Sequence, residues 1–457
     1  MKEQLRTKST HSYSSDERSM SPSPPKSKER KFLVYLTGLF IITWYLQLGV
    51  RVDILGAIRF EFILGAFLSI FAILTLLDEK TSTPLQGPII FFFCVLGFYT
   101  LFSYDRDQSW DIFFNRVIKF SMLSAFLAAF IRTEWALKLI IASFLLAMLK
   151  MGQEGFIGWL TGGMVWENQG IPRLHGVTGL YRHPNSYSGM AVGCLPFIYY
   201  LYPISNAWQK ILLLTLLAFA LVIIVFTGSR TGYVATILLS LYFWREKIKL
   251  GKIKYLILGA LIFTCAYVLL PDEYTQRLHS IFTLDEAEGS SSETRIQILK
   301  DAVSVFLSHP WGVGVSAFPS VRMEMFGRLQ DTHNLYLELL TNMSVLGLLS
   351  FFTFILAIIK MNKKIITSDT SPFVSAVAKS LIAFIYARLF LGVFGMDTYE
   401  IYWWFAAGLT MAMYRIANDH QEKTKYATFR FHSNNQALQG KPKFIRLRSN
   451  KSGHFTV

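Results

Sequence analysis

Residues 210–244 read KILLLTLLAFALVIIVFTGSRTGYVATILLSLYFW. Two apolar runs, 210–227 and 231–244, are parted by only Gly228, Ser229 and Arg230. A helix needs about 20 apolar residues to cross the ~30 Å of bilayer hydrocarbon. The stretch therefore reads as two membrane helices joined by a tight turn, with Arg230 held at the membrane surface. Outward from it, further apolar runs lie at 32–50, 54–77, 88–104, 111–130, 135–150, 185–204, 255–270, 334–359, 374–394 and 398–416. The fold class expected is an all-α polytopic membrane protein of about twelve transmembrane helices with a long helical extracytoplasmic loop.

Composition points the same way. The 457 residues are 52% hydrophobic but only 16% charged, against roughly a quarter charged in soluble chains. A mean hydropathy of +0.37 over this length requires apolar surface that faces something other than water. No small-residue cleavage site follows the first apolar run, so no cleavable signal peptide is expected.

The net charge is +15. Residues 1–31 contribute +4 and residues 417–457 contribute +6. These basic segments flank apolar spans, which is the positive-inside pattern and not the footprint of a nucleic-acid-binding face. Residues 1–31, rich in Ser, Pro and Lys, are expected to be a disordered cytoplasmic tail, and 417–457 a second basic cytoplasmic tail. Both are read as anchors to anionic membrane lipid, at about 1 kcal/mol per basic residue near the surface. An N-terminus inside puts the basic connections 245–254 and 360–373 on the same side as both tails. The transmembrane domain is then 32–416, and the connections 151–184 and 271–333 lie outside. In the second of these, Ser292-Glu293-Thr294-Arg295 reads as a helix start with Ser292 as N-cap. Ile296, Leu299, Val303 and Phe306 follow at helical spacing, and Pro310 with Gly312-Val313-Gly314 ends the helix. No internal repeat is visible, which weighs against transporter folds built from related halves.

The candidate functional residues cluster on the outer side. Arg230 offers a fork for phosphate beside two glycines, or else snorkels to lipid headgroups. Arg295 lies in the first turns of the loop helix, where it is either a ligand or a solvated face. His333 opens a long span; a neutral imidazole there can act as general base, or simply hydrogen-bond at the interface. Asn334 can orient the histidine or a substrate. Glu338 is an ionisable group near the same end of the span. Arg182 and Asn185 flank Pro184 where another span begins, as cavity lining or as helix-start chemistry. Cys94, Cys194 and Cys265 sit inside apolar runs without the spacing of a metal or redox motif. No carboxylate cluster or His/Cys set suggests a metal, and no glycine-rich nucleotide loop follows a strand. Neither metal nor cofactor is expected, and the donor of any transfer reaction should be lipid-linked.

Three stretches together carry a resemblance: Gly179-Leu180-Tyr181-Arg182-His183-Pro184-Asn185; Thr227-Gly228-Ser229-Arg230-Thr231-Gly232; and an outer loop with Arg295, then His309-Pro310-Trp311-Gly312-Val313-Gly314, then His333-Asn334. In this order they resemble the O-antigen ligase and O-antigen polymerase superfamily of bacterial membrane glycosyltransferases, in detail over about 170–350. The resemblance implies transfer of a glycan from undecaprenyl diphosphate to lipid A-core or to a growing glycan, on the outer face of the inner membrane, without a metal. It assigns Arg230 and Arg295 to the family's two essential arginines and His333 to its histidine. The family often carries Gly at the tenth position after the His-Asn pair; here that position is Ser344, and only Gly347 fits the pattern. Two rival readings stand beside it. A transporter or flippase of lipid-linked oligosaccharide would use charges within spans, and Arg116, Lys119 and Arg388 are in or near spans. A scaffold of an export complex would leave the two arginines and the histidine without a purpose.

Overall fold

The computed structural model describes residues 30–78, 83–168, 170–248, 271–283, 291–396 and 398–439. Among them the chain is almost wholly helical. The first helices are α1 (Lys31–Leu46), the short α2 (Leu48–Arg51) and α3 (Asp53–Ala57), α4 (Phe60–Asp78) and α5 (Gln86–Leu101). Next, α6 (Arg106–Ile112) passes through a π-helical turn at Phe113–Ile118 into α7 (Lys119–Phe130), and α8 (Glu134–Thr161) follows. A hairpin, β1 (Val165–Asn168) and β2 (Ile171–Leu174), then leads to α9 (Pro184–Leu201), α10 (Ala207–Phe226) and α11 (Arg230–Ile248). The loop helices are α12 (Asp272–Thr283), α13 (Ser291–Ser308) and α14 (Phe318–Phe326). Last come α15 (Leu335–Thr367), α16 (Pro372–Leu391) and α17 (Ile401–Gln439).

Among the described residues, six helical stretches are long and apolar enough to cross a membrane: Phe60–Asp78, Arg106–Phe130, Glu134–Thr161, Ala207–Phe226, Leu335–Thr367 and Pro372–Phe394. Shorter apolar helices are Lys31–Leu46 and Gln86–Leu101. Each predicted run other than 255–270 overlaps described helix, with 54–77 split at Ile58–Arg59 between α3 and α4; 255–270 lies outside the described residues. Helix α4 shows why the surroundings must be apolar. It buries only Leu64, Leu68 and Ala72, one stripe at a spacing of four, and exposes Phe62, Ile63, Phe67, Ile70, Ile73, Leu74 and Leu77. Left to water, such a face would cost roughly 25 cal/mol per Å²; in lipid it costs nothing. An all-α polytopic membrane architecture accounts for both faces.

Three expectations need correction. The predicted span 135–150 is the first half of α8, which continues to Thr161. Lys150, Gln153 and Glu154 gave the second half a polar look, but Gly152, Gly155 and Gly158 face inward. Glu154 is neutralised by Arg51 through two hydrogen bonds of 2.5 and 2.9 Å. The connection predicted at 151–184 is therefore shorter than expected, and it holds a β-hairpin that an all-α reading lacks. The first span does not run straight to residue 50. It breaks at Gln47, whose φ of 49° starts a new direction. Ser292 falls inside the first turn of α13, which begins at Ser291, so it is not the residue before the helix.

Helix α9 is the hub, packed against α10, α11 and α16. Its small residues Ser188, Gly189, Ala191, Gly193 and Cys194 are buried and let neighbouring helices approach closely, as helices in lipid require. Helix α15 carries a break: Met343 and Ser344 have non-helical backbones, with Ser344 at φ 57°, ψ −167°. A break frees carbonyls that lipid cannot hydrate. The 310–315 turn supplies the donors. Val313 N–H binds the Thr341 carbonyl at 2.9 Å and Gly314 N–H binds that of Asn342 at 2.8 Å. Ser344 Oγ donates to the Pro310 carbonyl at 2.6 Å. Gly314 sits at φ 114°, a conformation essentially closed to other residues.

The candidate active site

Several helix ends meet around one cavity of about 660 Å³. The starts of α9, α11 and α17, the end of α16, the first turns of α13 and the turn before α15 all contribute to its wall. Of the predicted residues, His333, Arg295 and Asn185 line it. Arg230 begins α11 immediately before Thr231, which lines the cavity, while its own side chain stands outside the lining set and close enough to Arg173 to repel it. Arg182 is exposed and lies off the wall.

His333 is aimed by its neighbours. Its φ of 48° is rare for a residue with a Cβ and persists only where the surroundings over-determine it. On one side buried Thr332 donates from Oγ1 to the Asn334 carbonyl at 3.1 Å. On the other, Asn334 caps α15: its Oδ1 accepts from the N–H groups of Tyr336 and Leu337, each at 3.0 Å. Asn334 Nδ2 also donates to the Val393 carbonyl at 2.9 Å, tying α15 to the end of α16. The structure thus places Asn334 beside the wall as a cap and not on it. Glu338 is likewise off the wall, buried, and accepts from the hydroxyl of Thr398 at 2.7 Å and its N–H at 3.3 Å. Burial first, and then the charges of Arg295 and Arg322, hold the His333 imidazole below its ordinary value of 6.5. At neutral pH it is the free base, able to take a proton.

His183, the N-cap of α9, also lines the cavity, and its Nδ1 accepts from Asn185 N–H at 3.2 Å. Desolvation by the cavity wall, with the charges of Arg173, His333 and Arg295, lowers it to about 4. The two histidines therefore add no positive charge at pH 7, and the cationic character of the cavity comes from arginine.

Two of those arginines were not predicted as site residues. Arg388, on α16, lines the cavity and had been weighed only as a charge within a span. Its guanidinium lies over Tyr402, 4.2 Å from the ring centre, and over Phe384 at 5.2 Å. The space for it exists because α9 carries glycine opposite: a Cβ at Gly193 would sit 3.2 Å from Nη2 and 3.0 Å from the Phe384 ring. Arg173, on β2, is buried behind the wall. Its Nε donates to the Thr227 carbonyl and its Nη2 to Asn185 Oδ1, each at 2.7 Å. Arg277 of α12, also buried, reaches the next carbonyl, Gly228, at 3.3 Å. Burial and the nearby charges of Arg277, Arg295 and Arg230 lower Arg173 to about 10, which leaves it cationic. Nothing local in the sequence marks Arg173, because Thr227 and Asn185 lie in two other elements, at the end of α10 and the start of α9.

Loop helix α13 is fixed by an ionic lock. Asp301, almost fully buried, receives Arg322 Nε at 2.9 Å and Arg328 Nε and Nη2 at 3.1 and 2.9 Å, and Gln297 at 2.8 Å. Burial would raise its carboxyl, but the hydrogen bonds from Gln297, Arg328 and Arg322 outweigh it and hold the group below the usual aspartate value. This lock holds α13, and with it Arg295, against α14.

Converging arginines beside a neutral histidine in a partly enclosed cavity can bind a diphosphate and accept a proton from a hydroxyl. No curated protein matches the chain. Residues 215–352, a segment that spans Arg230, Arg295 and His333, match the family model for O-antigen ligase, in keeping with the resemblance that the three motif stretches carry.

Proposed function

We propose that the protein is a membrane glycosyltransferase that moves a glycan from undecaprenyl diphosphate to an acceptor, lipid A-core or a growing polysaccharide, at the outer face of the bacterial inner membrane. The observation that carries this reading is the single cavity where His333, Arg295 and Arg388 converge. The acceptor hydroxyl attacks the anomeric carbon, a new glycosidic C–O bond forms, and the C–O bond to diphosphate breaks. His333 takes the hydroxyl proton. Negative charge builds on the departing diphosphate, and Arg295 and Arg388, with Arg230 nearby, stabilise it in a site where water is scarce. Direct attack inverts the anomeric centre. The first turns of α13 and the turn before α15 wall the cavity, and in this reading they limit hydrolysis of the donor. Both termini are cytoplasmic in this reading. Asn185 serves the site as wall, Asn334 and Glu338 serve it as support, and Arg182, exposed off the wall, is left with a contact to substrate outside the cavity.

The test is a gel of surface glycans from a deletion strain complemented with wild type or with His333→Ala. Wild type restores the glycan ladder and His333→Ala does not, while both accumulate equally in the membrane. Acceptors left with one repeat identify a polymerase; polymer stranded on carrier lipid with bare core identifies a ligase. A His333→Ala protein of full activity sinks the base assignment. Purified wild type that forms no glycosidic bond favours the flippase reading, which the charges of Arg116 and Arg388 within helical stretches motivate. In vitro, the acid limb of kcat/KM should fall below pH 6.5, because the free-enzyme imidazole is lowered from that value and the neutral form is lost only as pH drops through the lowered pKa.

A further inference from the structure

Next to the main cavity lies a smaller chamber of about 310 Å³. The two share Arg116, Gly179, Leu180 and Glu400, so they adjoin across the Arg116–Glu400 ion pair of 3.2 Å. Beyond that pair the chamber wall is Trp44, Gln47, Glu61 and Phe120. The local folding explains the set. The π-helical turn at Phe113–Ile118 widens the helix at Arg116, and such turns are frequent at functional sites. The break at Gln47 brings the end of α1 over the start of α4, where Glu61 Oε1 accepts from Gly49 N–H at 3.2 Å. Gln47 Oε1 accepts from Gly179 N–H at 2.9 Å, fixing the turn that both spaces share.

Charge divides the two spaces. The main cavity presents Arg295 and Arg388. In the chamber, Glu400 offsets Arg116 and Glu61 adds a further carboxylate, which repels phosphate. A hydrocarbon chain would desolvate those carboxylates without replacing their hydrogen bonds. An aromatic face beside carboxylate and amide acceptors suits a ring that is apolar on its CH face and carries hydroxyl donors at its edge. On these grounds, and resting on the transferase reading above, we propose that the chamber is a subsite for one neutral sugar ring, which stacks on Trp44 and donates hydroxyl hydrogen bonds to Glu61. The ring belongs to the acceptor or to the donor glycan, and one experiment separates the two.

The full chain is purified into lipid nanodiscs as wild type, Glu61→Gln and Trp44→Leu. Glu61→Gln keeps the shape and the acceptor for Gly49, and Trp44→Leu keeps apolar bulk without the aromatic face. Rates are measured with glycan-loaded carrier lipid and acceptor lipid extracted from the host deletion strain, each varied in turn. Undecaprenyl diphosphate bearing no glycan is used as a competing inhibitor. A rise of about tenfold in the half-saturating acceptor concentration, with donor and bare-carrier values unchanged, assigns the subsite to the acceptor sugar. The same rise for donor, with bare-carrier inhibition unchanged, assigns it to the donor sugar. The proposal is overturned if both variants match wild type on all three measures, or if bare-carrier inhibition weakens together with donor binding. Wild type that transfers no glycan defeats the transferase reading first, an outcome distinct from active wild type with unaffected variants.

Discussion

Two groups of arginines sit within one site and do opposite jobs. Arg295 and Arg388 line the cavity. Arg173 and Arg277 are buried behind it, donating to the carbonyls of Thr227 and Gly228. In the proposed function the first group presents charge to a ligand. The second replaces water at the hairpin that joins α10 to α11, where backbone carbonyls would otherwise lack donors. The lesson is that an arginine at a membrane surface is a ligand or a strut according to what its fork meets, and residue type alone does not say which.

The comparison predicts different failures. The largest concerns Arg173→Met, which leaves the Thr227 carbonyl and the Asn185 side chain without their buried donor. It should cost about 3–5 kcal/mol through two unsatisfied groups and imperfect packing. Thermal unfolding followed by size-exclusion chromatography in detergent measures this. An Arg173→Met protein with wild-type melting but no activity would move Arg173 into the ligand group.

Arg295→Ala should show the reverse. Its fold survives, and kcat falls about 10²–10³-fold, or ~2.7–4 kcal/mol, as for loss of one donor to developing negative charge. Arg295→Lys should recover only part of that, since a point charge lacks the bidentate fork. Melting lowered as far as in Arg173→Met would make Arg295 a strut as well.

Asp301→Asn sharpens the contrast by loosening the helix that carries Arg295. Breaking the lock to Arg322 and Arg328 should cost about 2–3 kcal/mol, read out as faster proteolysis between α13 and α14. Because the folded carboxyl is held below the usual aspartate value, its contribution is present above about pH 4 and lost as pH falls through the lowered value. Proteolysis that accelerates toward alkaline pH instead would contradict the lock.

The smallest effect concerns Ser344. Its φ of 57° and ψ of −167° lie where glycine is at ease and a Cβ is strained by about 1–3 kcal/mol. Ser344 Oγ returns part of this through its bond to Pro310. Ser344→Gly should therefore be neutral or stabilising by about 1 kcal/mol, whereas Ser344→Val should destabilise. The preference for glycine at this position in the resembling family is then a backbone requirement of the break in α15.

What the sequence alone determined is what local pattern encodes. Apolar run length marked the helices, because the bilayer imposes one thickness on every span. Pro184 and Asn185 marked the start of α9, and the order of Arg230, Arg295 and His333 carried the resemblance to the O-antigen ligase family. The second half of α8 escaped because Glu154 looks polar in isolation; its partner Arg51 is about a hundred residues away in the chain, a separation of 103. Tertiary structure decided which charges face the cavity. Arg388 needs the glycines of α9 and the ring of Tyr402, and Arg173 needs Thr227 and Asn185. The burial of a charge is decided by partners that meet only once the helices have packed, so no window of sequence contains it.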